Sequence, residues 1–132
     1  MKLMLLSAIA GGGAIGATAR YTIDRVIAHF LGTNFPYGVF FVNHLGSFLF
    51  GLVIGFALKS PQASPVLMTG LTTGFLGALT TFSTFSYQTI ALLEDGEFLK
   101  ASFYWGGQVF FCPIFYWAGW KLTATLLATA SS

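Results

Sequence analysis

Gly74-Phe75-Leu76-Gly77-Ala78-Leu79-Thr80-Thr81-Phe82-Ser83-Thr84-Phe85-Ser86-Tyr87 is the stretch that decides the fold. It lies within an uncharged run, residues 60–93, that is long enough to cross a bilayer, for which about 20 helical residues suffice. Yet Thr80, Thr81, Ser83, Thr84 and Ser86 put five hydroxyls at what should be mid-membrane depth. Gly74, Gly77 and the β-branched Thr80-Thr81 also weaken helix propensity there. A helix broken at the bilayer centre survives only where its freed carbonyls find a partner: a bound cation, a neighbouring helix or water. Non-helical carbonyls from two subunits can coordinate sodium, as unwound helices do in transporters.

The rest of the chain agrees with a membrane setting. Apolar residues make up 55% and aromatic ones 17%, against 8% charged, where soluble proteins carry about a quarter. The charged residues leave uncharged runs at 3–19, 26–58, 60–93 and 101–120. Gly32-Thr33-Asn34-Phe35-Pro36-Tyr37-Gly38 is rich in turn formers and divides the second run. Ser64-Pro65 suits a helix N-cap followed by proline at the first helical position. The expected organisation is therefore one domain, 1–132, with four transmembrane helices at about 3–30, 37–58, 65–93 and 98–126 and a small polar tail at 127–132. Residues 60–65 and 94–97 form the loops between the later helices. The first segment, interrupted by Gly11-Gly12-Gly13 and Gly16, reads as a retained helix and not a cleaved leader. The one cysteine, Cys112, excludes an intrachain disulfide and a cysteine-rich zinc site.

Four helices of this size fill their own centre, so a pathway across the membrane needs a second subunit. Lysine and arginine nearly balance on the two sides, with Lys2 and Lys59 opposite Arg25 and Lys100. Insertion in both orientations would produce that balance, and so would chance with so few charges. Gly12 and Gly16, then Ser47, Gly51 and Gly55, then Gly70 and Gly74 recur at four-residue spacing, which lets helix backbones approach closely. Most of these rows should pack within the subunit, and at least one should face its partner.

Several side chains stand out as candidates. Phe82 and Phe85 share a helix face, by itself a common packing pattern. Asn43 is a lone amide in an apolar run and needs partners, either an interhelical hydrogen bond or a ligand. His44 points to another face, as a packing or hydrogen-bonding residue or as a group that titrates near neutral pH. Arg20 and Asp24 are spaced to pair, or Arg20 serves to attract anions.

Taken together, Gly11 to Tyr21, Phe35-Pro36-Tyr37-Gly38 with Asn43 and Gly46-Ser47-Phe48, and Gly74 to Ser86 resemble the Fluc (CrcB-type) fluoride channels over nearly the whole chain. The resemblance implies an antiparallel, dual-topology homodimer in the cell (inner or plasma) membrane, with two fluoride pores and a central structural sodium ion. It implies a passive channel and not an enzyme, with no catalytic residues and no nucleic-acid partner. On this reading Asn43, Phe82 and Phe85 line the pore, Ser83 and Thr84 add hydroxyls along it, and Arg20 sits in a vestibule. Gly77 and Thr80 offer backbone carbonyls to sodium. A fluoride pore has to replace water with donors yet release the ion, and the Asn43 amide with the Ser83 and Thr84 hydroxyls can donate. The positive ring edges of the two phenylalanines favour an anion weakly.

Three features depart from the family pattern. Gln88 replaces a glutamate, and Gln108 and Cys112, on a face with the pore-lining candidate Tyr104, replace small hydroxyl residues. Pro113 should bend or interrupt the fourth helix. These departures keep a non-conducting partner subunit of a heterodimeric channel as an alternative. A small dual-topology multidrug exporter would need a titratable carboxylate in the membrane, and runs 26–58, 60–93 and 101–120 have none.

Overall fold

The computed structural model describes residues 1–60 and 62–130, without the side chain of Ala130. Pro61 of the expected 60–65 loop and residues 131–132 of the expected tail lie outside the described residues. The described residues form helices joined by short non-helical segments and contain no strand. Helix α1 spans Lys2–Leu31 and α2 spans Tyr37–Lys59. The third segment is divided into α3 Pro65–Thr69, a π-helical stretch Gly70–Leu76, α4 Gly77–Leu79 and α5 Phe82–Glu94. Helix α6 runs Phe98–Ala130.

Local chemistry sets the ends. Gly32 turns the chain out of α1 at φ +79°, a conformation that favours glycine. Ser64 caps α3 by accepting from the Leu67 N–H at 3.4 Å, with Pro65 at the first position. After α5, Gly96 at φ +75° donates to Leu93 O while Glu97 N–H reaches Leu92 O, a Schellman turn that reverses the chain into α6.

Three spans, Lys2–Leu31, Tyr37–Lys59 and Pro65–Glu94, are both long and apolar enough to cross a membrane. Helix α6 has the length but falls short in hydropathy, because Gln108, Lys121 and several tyrosines and tryptophans interrupt its apolar residues. It continues through Pro113 and past residue 126, so of the expected bend or interruption at Pro113 the interruption does not occur, and residues 127–130 of the expected tail are helical. Proline removes a single N–H donor, and α2 supports α6 beyond it, with Gly51 against the Tyr116 carbonyl and Gly119 against the Phe48 carbonyl.

Glycine governs how the helices meet. A Cβ on Gly51 or Gly119 would overlap backbone of the facing helix, so α2 and α6 touch main chain to main chain. Gly12 and Gly16 do the same for α1 against Gly70 and Phe75 in the third segment, and Gly74 closes on Ile9. The glycine rows are therefore spent inside the chain. The expectation that one of them faces a partner does not hold, because each occupies an intrachain seam that a side chain would force apart. At one end of the bundle Phe35, Val39, Phe85 and Tyr104 form a buried cluster.

Candidate functional site

The site is built around Thr80 and Thr81. Both residues are extended, at ψ 155° and ψ 121°, between the end of α4 and the start of α5. An extended residue presents its N–H and C=O on the same side, and the Asn43 side chain docks edge-on to both. Thr81 N–H donates to Asn43 Oδ1 at 2.9 Å, and Asn43 Nδ2 donates to Thr81 O at 3.1 Å. The second Asn43 hydrogen goes to Gln108 Oε1 on α6. Asn43 is thus an interhelical splice, and its amide hydrogens are already engaged.

The extended step also redirects main-chain donors. In a continuous helix Thr81 N–H would serve the Gly77 carbonyl and Thr84 N–H the Thr80 carbonyl. Instead, Thr81 N–H serves Asn43, and Thr84 N–H donates to Thr81 Oγ1 at 3.2 Å, which caps α5. Gly77 and Thr80 are therefore among the residues whose carbonyls lose their helical donors, as are Ala78 and Leu79 between them. The nearby Ala78 carbonyl accepts from Arg20 Nε at 3.1 Å. Arg20 does not pair with Asp24, because the freed carbonyl takes its Nε; among the described residues the one ion pair is Lys100–Glu97 at 2.9 Å.

A groove of about 420 Å³ opens beside this step, lined by Asn43, Gln108 and Cys112 together with Phe82 and Phe85. Ser47, whose hydroxyl bonds the Asn43 carbonyl at 2.7 Å, lines it too. The two phenylalanine rings lie 5.4 Å apart, but Phe82 is 77% exposed while Phe85 is buried in the core cluster. Of the sequence candidates, Ser83, Thr84 and Tyr104 do not line the groove. Ser83 and Thr84 gather around the Thr81 hydroxyl. Tyr104 is fully buried among Phe35, Val39 and Phe85 and donates to Gln88 Oε1 at 2.6 Å. His44 does not enter the groove: its ring nitrogens face the Phe40 and Gly107 carbonyls, at 2.6 Å and 3.2 Å.

Gln108 is the side chain that sequence reasoning placed only as a departure. It is 5% exposed, and its Nε2 is the buried side-chain polar atom left without a hydrogen bond among the described residues. The i,i+4 relation to Tyr104 and Cys112 signalled its face, but nothing local signalled its bond to Asn43.

Long apolar helices stacked through glycine seams around an extended polar step define a multi-pass membrane protein. Residues 7–120 match the model of the CrcB-like protein family, Camphor Resistance (CrcB), and the chain belongs to that family. It is 51% identical over 107 residues to a fluoride-specific ion channel FluC of Geotalea daltonii, covering 81% of this chain and 86% of that one. It is 50% identical to the protein of the same name from Geotalea uraniireducens, covering 84% of this chain and 90% of the relative. With that of Geobacter metallireducens it shares 46% identity, over 89% of this chain and 94% of the relative.

Proposed function

We propose that this chain is the subunit of a fluoride-selective channel in the cell membrane, acting as an antiparallel homodimer that lets fluoride leave the cell passively. The observation that carries the reading is the groove in which the extended Thr80–Thr81 step, the Asn43 and Gln108 amides and the Phe82–Phe85 pair meet. Donors set in an otherwise ring-lined groove suit a small anion that must exchange its water for N–H and O–H groups and still depart. The names of the relatives support fluoride as that anion. Ser83 and Thr84 extend the hydroxyl track beside the groove, Tyr104 anchors its wall through Gln88, and Arg20 contributes positive charge at its approach.

The second copy follows from the unfinished surface. Gly77, Phe82 and Ser83 are exposed beside the Gly77 and Thr80 carbonyls, which lack helical donors. Lipid would leave such backbone unsatisfied, which costs several kcal/mol per group. A partner of opposite orientation covers this face, and the near-even lysine and arginine balance permits both orientations. The same carbonyls fit a structural sodium ion: Gly77 and Thr80 from each of two chains give an all-oxygen set for a hard cation at the dimer centre. On this reading the interruption lies at mid-membrane depth and α6 is the fourth span.

One observation favours a second reading, a non-conducting partner subunit: Gln108 ties up the Asn43 amide at the groove. Fluoride efflux from liposomes holding only this protein separates the two. The channel reading expects release of fluoride with chloride retained. A dimer that assembles and releases neither overturns it in favour of the partner subunit.

A further inference from the structure

We infer that His44 is a proton-binding clamp between α2 and α6: with a hydrogen on each ring nitrogen it ties the Phe40 carbonyl to the Gly107 carbonyl and so positions the neighbouring Asn43–Gln108 bond. The argument starts from the two atoms that face the ring. Nδ1 lies 2.6 Å from Phe40 O, and Nε2 lies 3.2 Å from Gly107 O. Both are carbonyl oxygens, which accept and never donate. A neutral imidazole has one N–H, so in either tautomer a bare nitrogen would face an oxygen lone pair. The imidazolium, with two N–H groups, satisfies both contacts.

The surroundings suit a buried cation. His44 is 8% exposed, and the Phe40 ring lies 4.3 Å from its own, inside the roughly 6 Å over which an aromatic ring attracts a cation. Phe115 of α6 meets it edge to face at 5.2 Å. Gly107 makes room for this, since a Cβ there would strike the Phe40 ring at 2.7 Å. Little nearby competes for the proton. In the apolar groove beside His44, α1 contributes Ile27 and Leu31 and α6 contributes phenylalanines, and Tyr37 of α2 is the other titratable side chain. Tyr104 and Cys112 of α6 face the core cluster and the Asn43 groove instead.

On losing a proton the ring keeps the hydrogen of its shorter bond, to Phe40 O, and lets go of Gly107. The contact released is the one between helices. The closed state holds one more proton than the released state, so lower pH favours it, and histidine makes this exchange between about pH 5 and 8. His44 and Gly107 are chain neighbours of Asn43 and Gln108, which bond across the same pair of helices. Closing the first contact therefore holds the register of the second, and through that register pH reaches the groove.

The test uses the whole chain in nanodiscs with 15N-histidine, and the exposed His29 is changed by His29→Gln so that His44 gives the one imidazole signal. At about pH 5 both ring nitrogens are expected to carry hydrogen, and on raising the pH to about 8 Nε2 is expected to lose its proton while Nδ1 keeps its own. A ring already neutral at about pH 5, or one that gives up the Nδ1 proton first, overturns the proposal. The positioning role is read from the side-chain amide of Asn43, with Asn34 as the reference. The Asn43 signal is expected to shift over the same pH range as the His44 ring, and to hold still in His44→Phe, which keeps a ring of similar bulk and binds no proton. An Asn43 signal that ignores pH in the wild-type protein, or follows it equally in His44→Phe, overturns that role. The melting temperature of the wild-type protein is expected to gain a few degrees at the acid end relative to His44→Phe, and a difference that does not change with pH counts against the clamp. If His44→Phe does not fold, the imidazole titration of the otherwise wild-type ring still decides. None of these measurements needs conduction, so they stand whether or not liposomes release fluoride.

Discussion

The α2–α6 seam and the Thr80–Thr81 step solve the same problem, how one stretch of backbone meets another, in opposite ways. At the seam each helix satisfies its own hydrogen bonds, and glycine lets the finished cylinders touch through main-chain atoms at Gly51 and Gly119. At the step the helix gives up its bonds, and side chains from elsewhere restore them: Asn43 for Thr81, Arg20 for Ala78, and Thr81 itself for Thr84. The seam tolerates no added atom because it has no spare volume. The step tolerates no lost atom because it has no spare donors, save the one on Gln108. Rigidity in the first place comes from shape, and in the second from chemistry.

Adding atoms to the seam should do the most damage. Gly51→Val places a branched side chain on the Tyr116 carbonyl and Trp120 N–H of α6, where backbone cannot yield. Overpacking of this kind costs about 1–3 kcal/mol or more. The expected outcome is loss of the monodisperse peak in size-exclusion chromatography, whereas Gly11→Ala, which meets nothing within 4 Å, keeps it. A monodisperse Gly51→Val protein would mean that the seam opens in solution.

Removing a donor from the step comes next. Asn43→Asp is nearly isosteric, but a carboxylate cannot donate to Thr81 O or Gln108 Oε1 and places negative charge at the groove. Fluoride efflux should fall to the background of empty liposomes, and thermal stability should drop by about 1–3 kcal/mol for the buried groups left unpaired. Unchanged efflux would show that the anion does not pass this side chain.

Phe82→Ile probes a side chain that belongs to neither device. Because Phe82 is 77% exposed in the single chain, its loss should leave the subunit's fold unaltered. Efflux should nevertheless fall sharply, since isoleucine keeps apolar bulk and lacks a ring edge. Wild-type efflux with an unchanged elution profile would remove Phe82 from the pathway.

The smallest expected effect is that of Thr81→Ala, which deletes the cap on Thr84 N–H while Asn43 retains its grip on the Thr81 backbone. A lost N-cap costs about 1 kcal/mol, read as a modest fall in melting temperature with efflux retained. Unfolding of this variant would show that the hydroxyl, and not Asn43, holds the step.

What the sequence discloses is what neighbouring residues decide together. The Gly32–Pro36 turn, the Ser64-Pro65 cap and the weak helix formers from Gly74 to Thr81 can be read where they stand, because their physics acts over a turn or two. The partners cannot be read that way. Asn43 is a lone amide until it meets Thr81, 38 positions on, and Gln108, 65 positions on. Arg20 has a carboxylate at helical spacing and still goes to Ala78, because an open carbonyl lies within its reach. Tyr104 shares a helical face with Gln108 but is drawn into the cluster around Phe35, out of the groove. Pro113 leaves its helix whole because α2 braces it, which is a property of the pair and not of the proline.

The Asn43 splice also gives the molecule a chronology. Ribosomes deliver α2 to the membrane before the Thr80–Thr81 step exists, so the amide that will complete the step is already in the bilayer when the step arrives. In the reverse order the third segment would enter lipid with an open backbone and nothing to close it. The linear order of the gene thus acts as an assembly instruction, and a rearranged chain that releases the third segment ahead of the second would carry every residue and lack the sequence of events.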